Sequence, residues 1–133
     1  METAIAKRIL LVEHDRFLRR ACDDALRGRG LFVWSTSSGE EALVLARTEA
    51  PDLILLDLST PDLSGIEVLR QLKSDSTTQD IPVLVLAGSS RSVNVHEVLR
   101  LGALEYWVKS NISLKDLGYR VISLLDRVAP TTR

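Results

Sequence analysis

The sequence predicts a single doubly wound α/β domain on a five-stranded parallel sheet. Two observations carry this expectation. Short apolar runs alternate with amphipathic stretches five times along the chain, and such alternation builds a parallel sheet with helices on both faces. The third run, DLILLD at 52–57, is almost wholly apolar, as a central parallel strand covered on both sides must be. A length of 133 residues suits one domain with a real core.

The elements follow in order. RILLV at 8–12 is the first strand. Asp15 caps a helix over 16–28 with Phe17, Leu18, Ala21, Cys22, Ala25 and Leu26 on its inner face, and Gly28 and Gly30 end it. LFVWS at 31–35 is the second strand, where Trp34 is core or edge packing. Ser38 and Gly39 open a helix over 39–49 that turns Ala42, Leu45 and Ala46 inward, and Pro51 closes it. After the strand 52–57 and a turn from Ser59 to Ser64, a helix over 65–73 carries Ile66, Leu69 and Leu72. The strand 82–87 begins at Pro82, where a missing N–H is tolerated. A helix over 91–101 with Val95, Val98 and Leu99 inward ends near Gly102, which suits a left-handed cap. The fifth strand is 104–108. The last helix, about 113–127, turns Leu114, Leu117, Val121, Leu124 and Leu125 inward. The domain is expected over 1–129, with 130–133 a tail or the start of a linker.

Composition excludes several classes. A net charge of −1 from 17 basic and 18 acidic residues gives no basic excess for nucleic acid. One cysteine, Cys22, allows neither a disulfide framework nor a cysteine-rich zinc site, and its apolar surroundings suit an inert thiol. Neither a leader nor a membrane span is evident, so the chain reads as cytoplasmic. The first strand runs into VEHDR rather than a glycine-rich loop, which argues against a dinucleotide or P-loop site.

Ligands of doubly wound sheets bind beyond the carboxyl ends of the strands. Those ends here carry Glu13, His14 and Asp15, then Asp57, then Ala87 to Ser90, then Lys109. The rim is therefore acidic with one ammonium group. Clustered carboxylates repel, and a hard cation with oxygen ligands relieves them. A lysine beside them supplies a point charge for a phosphoryl group. Taken singly, Asp57 could cap a helix, and Glu13 and Lys109 could be solvated. Their convergence is the stronger signal.

With these residues in view, the chain resembles the receiver domains of two-component response regulators over nearly its whole length. The matching segments are ILLVEHD at 9–15, PDLILLDLSTPDLSG at 51–65, PVLVLAG at 82–88 and LGALEYWVKS at 101–110. The resemblance implies a flavodoxin-like (βα)5 fold with strand order 2-1-3-4-5. It implies a phosphoacceptor regulatory domain rather than an enzyme. Asp57 would accept a phosphoryl group from a histidine kinase or histidine phosphotransfer domain, and Lys109 would contact the phosphoryl oxygens. Glu13, Asp57 and the backbone carbonyl of Ser59 would hold Mg2+. Tyr106 would be the aromatic switch, with Pro61 and Gly65 shaping the turn below the acceptor.

Three positions depart from that pattern. His14 stands where an aspartate would be the principal metal ligand, so magnesium is expected to bind weakly. Softer metals such as manganese or zinc would be tolerated better, and Asp15 would substitute only after a local backbone change. Ala87 replaces a threonine or serine whose hydroxyl bonds the phosphoryl group, leaving Ser89 or Ser90 as the alternative donors. Ser110 replaces a proline that follows the lysine through a cis bond, and the sequence leaves cis or trans open.

The resemblance also implies an output and homodimer face on the 91–127 segment. That face would include Arg91, Glu97, Arg100, Glu105, Trp107, Asp116, Arg120 and Arg127, with Trp107 and Tyr106 on opposite sides of a terminal strand. Downstream partners are then proteins, not nucleic acid or membrane. The competing reading is a degenerate receiver that acts as a phosphorylation-independent interaction or dimerisation module. A small hydrolase using the same carboxylates is the weakest alternative.

Overall fold

The computed structural model describes residues 6–88 and 95–128. Five strands, β1 (Arg8–Val12), β2 (Phe32–Thr36), β3 (Leu53–Asp57), β4 (Val83–Ala87) and β5 (Glu105–Val108), form one sheet in the order β2-β1-β3-β4-β5. All four pairings are parallel. The helices are α1 (Arg16–Arg27), α2 (Gly39–Glu49), α3 (Gly65–Ser74), α4 (Val95–Arg100) and α5 (Leu114–Arg127).

Two buried layers explain why β1, β3 and β4 are apolar at nearly every position. Ile9, Leu11, Leu53, Leu55, Leu84, Leu86 and Trp107 face one side and pack under Cys22 and Leu26 of α1 and Leu117, Val121, Leu124 and Leu125 of α5. Leu10, Val12, Ile54, Leu56, Val83 and Val85 face the other, under α2, α3 and Val98 of α4. Alternate residues of one strand thus serve both layers.

Local chemistry sets the helix starts. Asp15, Ser38, Ser64 and Ser113 each accept a hydrogen bond from a backbone N–H of the first turn, satisfying donors that lack helical partners. Lys73, partly buried, donates to the carbonyls of Gln79 and Ile81 and so folds the connection from α3 to β4.

The boundaries agree with expectation to within a residue or so, except for the fourth helix, expected over 91–101, of which 91–94 lie outside the described residues; several side chains differ. Phe17 is 85% exposed, and Leu114 and Leu99 are 41% and 42% exposed, rather than inward. Phe17 and Leu114 sit in the first turns of α1 and α5. Leu43 and Val68 are buried core residues beyond those expected. Trp107 is core, 7% exposed, with Arg120 over its ring and its indole N–H donated to Glu105. It is not part of an exposed face. Tyr106 packs half-buried against the opposite layer. Trp34 is half-buried on the edge strand, with Phe32 edge-on and Arg8 over its ring. Ser89, Ser90 and Arg91, with the tail at 130–133, lie outside the described residues.

Candidate functional site

The candidate acceptor position is built by β3. Asp57 is its last residue, pairs in register with Leu86 and is 1% exposed. Gly65 underlies the turn that follows. Its N–H donates to the carbonyl of Leu58 at 3.1 Å, and a Cβ there would stand 2.4 Å from Leu58 Cα and 2.7 Å from the Asp57 carbonyl oxygen.

Glu13 comes from the residue after β1 and is fully buried. Lys109, directly after β5, points its ammonium between the two carboxylates. Its Nζ lies 2.6 Å from Glu13 Oε1, off hydrogen-bond alignment, and donates to Glu13 Oε2 at 2.9 Å. It is 3.2 Å from Asp57 Oδ1. Three sequence-distant groups expected at one rim are thus brought into contact.

Backbone donors complete the shell of Asp57. The N–H of His14 donates to Oδ2 at 3.0 Å and that of Ser59 to Oδ1 at 3.0 Å. His14 enters the site through its backbone, whereas its residue as a whole is exposed. Asp15 turns away: Oδ1 accepts from Leu18 N–H at 2.9 Å, and its own N–H donates to Glu13 Oε2 at 3.2 Å. Ala87 is buried at the end of β4 and offers no hydroxyl. Lys109 to Asn111 form a 3-10 turn, and no peptide bond among the described residues is cis, so the 109–110 bond is trans.

The electrostatics separate the two acids. Burial pushes the Glu13 carboxyl up to about 7, with the neighbouring Asp57 adding to the rise and Lys109 opposing it. Burial also raises Asp57, but hydrogen bonding with Glu13, the N–H groups of His14 and Ser59, and Lys109 outweigh it and hold Asp57 below the usual range. Of the two acids, Asp57 is therefore the one whose charged form the site favours. Lys109 is desolvated, yet the two acids raise it and keep it an ammonium.

Two residues missed by sequence reasoning frame this rim. Arg19 Nη1 donates to the carbonyls of Glu13 at 3.0 Å and His14 at 3.5 Å, bracing the loop after β1. Asp62, in the turn after Asp57, accepts from Ser38 Oγ at 2.7 Å and from the N–H groups of Gly39 and Glu40 at 2.9 and 3.1 Å. Those bonds hold its carboxyl well below the usual range and fasten the turn after Asp57 to the start of α2. The one available signal was the position of Asp62 in a Pro–Asp turn.

A magnesium site needs close to six oxygen ligands in octahedral geometry. The rim offers two carboxylates, both already engaged, while Asp15 caps a helix and position 14 brings a nitrogen ligand. Among the described residues, no three His, Cys, Asp or Glu side chains are grouped to hold a metal ion. The residues present do not fit a dedicated magnesium site.

Comparison with known proteins agrees with the fold. The family model for the response regulator receiver domain matches residues 9–121. The chain is 37% identical over 123 residues to response regulator MprA of Mycolicibacterium vanbaalenii, covering 92% of this chain and 52% of that protein. It is 34% identical over 121 residues to the probable transcriptional regulator ycf27 of Guillardia theta, covering 91% and 46%. The chain spans about half the length of these curated relatives. Among solved structures, the Francisella response regulator 1452 receiver domain aligns with a TM-score of 0.82 at 27% identity, covering 92% of this chain and 99% of that one. The Mn2+-bound form of response regulator Rcp1 aligns with a TM-score of 0.75 at 30% identity, covering 96% and 97%. A five-stranded parallel sheet in the order 2-1-3-4-5, an acid–lysine rim at its carboxyl edge and a family match over 9–121 lead to one conclusion: this chain belongs to the response regulator receiver domain family of two-component signal transduction.

Proposed function

We propose that Asp57 is the phosphoacceptor of this receiver domain, charged from a histidine kinase or histidine phosphotransfer domain. The observation that carries the reading is the buried Asp57 carboxylate, held by two backbone N–H groups with the Lys109 ammonium 3.2 Å away. An Asp57 oxygen attacks the donor phosphorus in line. The bond from phosphorus to the donor atom breaks, and its electron pair leaves with the donor. Lys109 neutralises charge on the phosphoryl oxygens, and the N–H groups of His14 and Ser59 keep the carboxylate aimed. This is a receiver's self-assisted transfer, not the turnover of a classical enzyme.

A divalent ion assists such transfer in the resembled receivers by neutralising phosphoryl charge. In this chain the oxygen donors left to such an ion would be Glu13, Asp57 and the Ser59 carbonyl, too few for a dedicated magnesium site with His14 in place of an aspartate, so no step here is routed through a metal. Signalling passes to a protein partner through the surface of α4, β5 and α5, and the same surface serves a homodimer. Ala87 removes the hydroxyl expected to draw the next loop towards the phosphoryl group, so coupling to Tyr106 is weak. That feature favours a second reading, an interaction module indifferent to phosphorylation. No helix among the described residues is long and apolar enough to cross a membrane.

The test is intact-mass measurement after treatment with acetyl phosphate. The wild type gains one phosphoryl group and Asp57→Asn gains none. A wild type that stays unmodified with and without divalent ions refutes acceptance and leaves the interaction module.

A further inference from the structure

We infer that Lys109 is the resident counter-cation of this pocket and that the pocket is closed to divalent ions, so that Asp57 accepts a phosphoryl group without one. The inference rests on Asp57 being the acceptor and extends that reading to how the site is regulated.

Three observations support it. The first is position. An ion bridging Glu13 and Asp57 has to sit between their carboxylates, and the Lys109 Nζ lies there, 2.6 Å from Glu13 Oε1 and 3.2 Å from Asp57 Oδ1. Entry of a hydrated dication requires eviction of a tethered ammonium from a partly desolvated site. The ammonium meets no loss of translational freedom on staying, whereas the incoming ion must shed tightly held water.

The second is donor count. Both Asp57 oxygens accept backbone N–H bonds, from Ser59 and His14. Glu13 Oε2 accepts from both Asp15 and Lys109. Asp15 spends Oδ1 on the N-terminus of α1, and His14 offers nitrogen in place of the carboxylate that would complete an oxygen set.

The third is Arg19. Its guanidinium bonds the Glu13 and His14 carbonyls at 3.0 and 3.5 Å, engaging the backbone oxygens of the loop after β1 and adding positive charge beside the rim. Even with both acids ionised, the Lys109 ammonium leaves the inner pocket with no more than a single formal negative charge. An aspartate at position 14 would double it.

Manganese titration followed by paramagnetic broadening of amide NMR signals tests the inference without requiring phosphorylation. The wild type should show no broadening centred on Glu13, Asp57 and Ser59 at millimolar manganese. His14→Asp should show it, with affinity raised by about ten- to a hundred-fold. Broadening at those amides in the wild type equal to that in His14→Asp overturns the inference. Absence in both proteins overturns the role given to His14 while retaining the closed pocket.

Acetyl phosphate treatment in excess chelator separates this inference from the acceptor assignment. Equal modification with chelator and with magnesium supports operation without a metal. Modification only with magnesium overturns it and leaves Asp57 as the acceptor. No modification in either condition refutes the acceptor assignment and, with it, metal-free acceptance, while the manganese titration still decides whether the pocket is closed.

Discussion

At the scale of single residues, the two rim acids oppose each other in their response to pH. Glu13 has its carboxyl raised from the ordinary 4.5 to about 7 by burial and by Asp57. The folded protein thus holds a proton that the unfolded chain has released between these values. Stability from this group is full below pH 4.5 and is lost as pH rises towards 7. Asp57 is lowered, so its contribution is present above its ordinary 3.8 and lost as pH falls below it. We expect urea-unfolding stability to decline by up to about 3 kcal/mol between these two Glu13 values. Glu13→Gln keeps the shape and removes the titration, so it should flatten that decline. Equal slopes in the two proteins would refute the assignment. Glu13, Asp57 and Lys109 were legible in the sequence because parallel strands bring their ends to one rim. The role of Arg19 was not, because nothing in a helical arginine marks which carbonyls it will reach.

At the scale of elements, the turn between β3 and α3 ties Asp57 to the layer behind it. Asp62 fastens that turn to the start of α2, and Gly65 lets its backbone close against Leu58 and Asp57. A methyl group at position 65 meets backbone atoms at 2.4 and 2.7 Å, and these cannot rotate aside as a side chain can. Gly65→Ala should therefore lower stability by about 1–3 kcal/mol, the usual cost of overpacking. It should also shift the amide resonances of Asp57 and Ser59 in NMR spectra. Unchanged stability and unchanged shifts would show that the turn has slack. Two helix starts were readable because Asp15 and Ser38 are chemically marked as caps. The exposure of Phe17 and Leu114 was not, since helical periodicity tells which face a residue occupies but not whether another element covers it.

For the molecule as a whole, the sheet has two covers, and α5 is half of one. The alternation of apolar runs and helices made the two-sided five-stranded parallel sheet legible, because three central strands lacking polar faces demand cover on both sides, while the strand order was implied by the resemblance alone. Leu117, Val121, Leu124 and Leu125 of α5 are all buried over one face, and Trp107 lies beneath the same helix. Burial of four such side chains stabilises by about 6–12 kcal/mol at about 1.5–3 kcal/mol each, as an upper bound. That is comparable to the entire stability of a typical domain, about 5–15 kcal/mol. The helix is consequently not an appendage that a partner could displace at small cost. A chain ending at Ser113 should lose cooperative urea unfolding and the near-ultraviolet circular dichroism of Trp107, while some secondary structure persists. Retention of a cooperative transition and a native near-ultraviolet spectrum would show that β5 and α1 close the layer without α5. Signalling by release of the whole helix would then become energetically accessible.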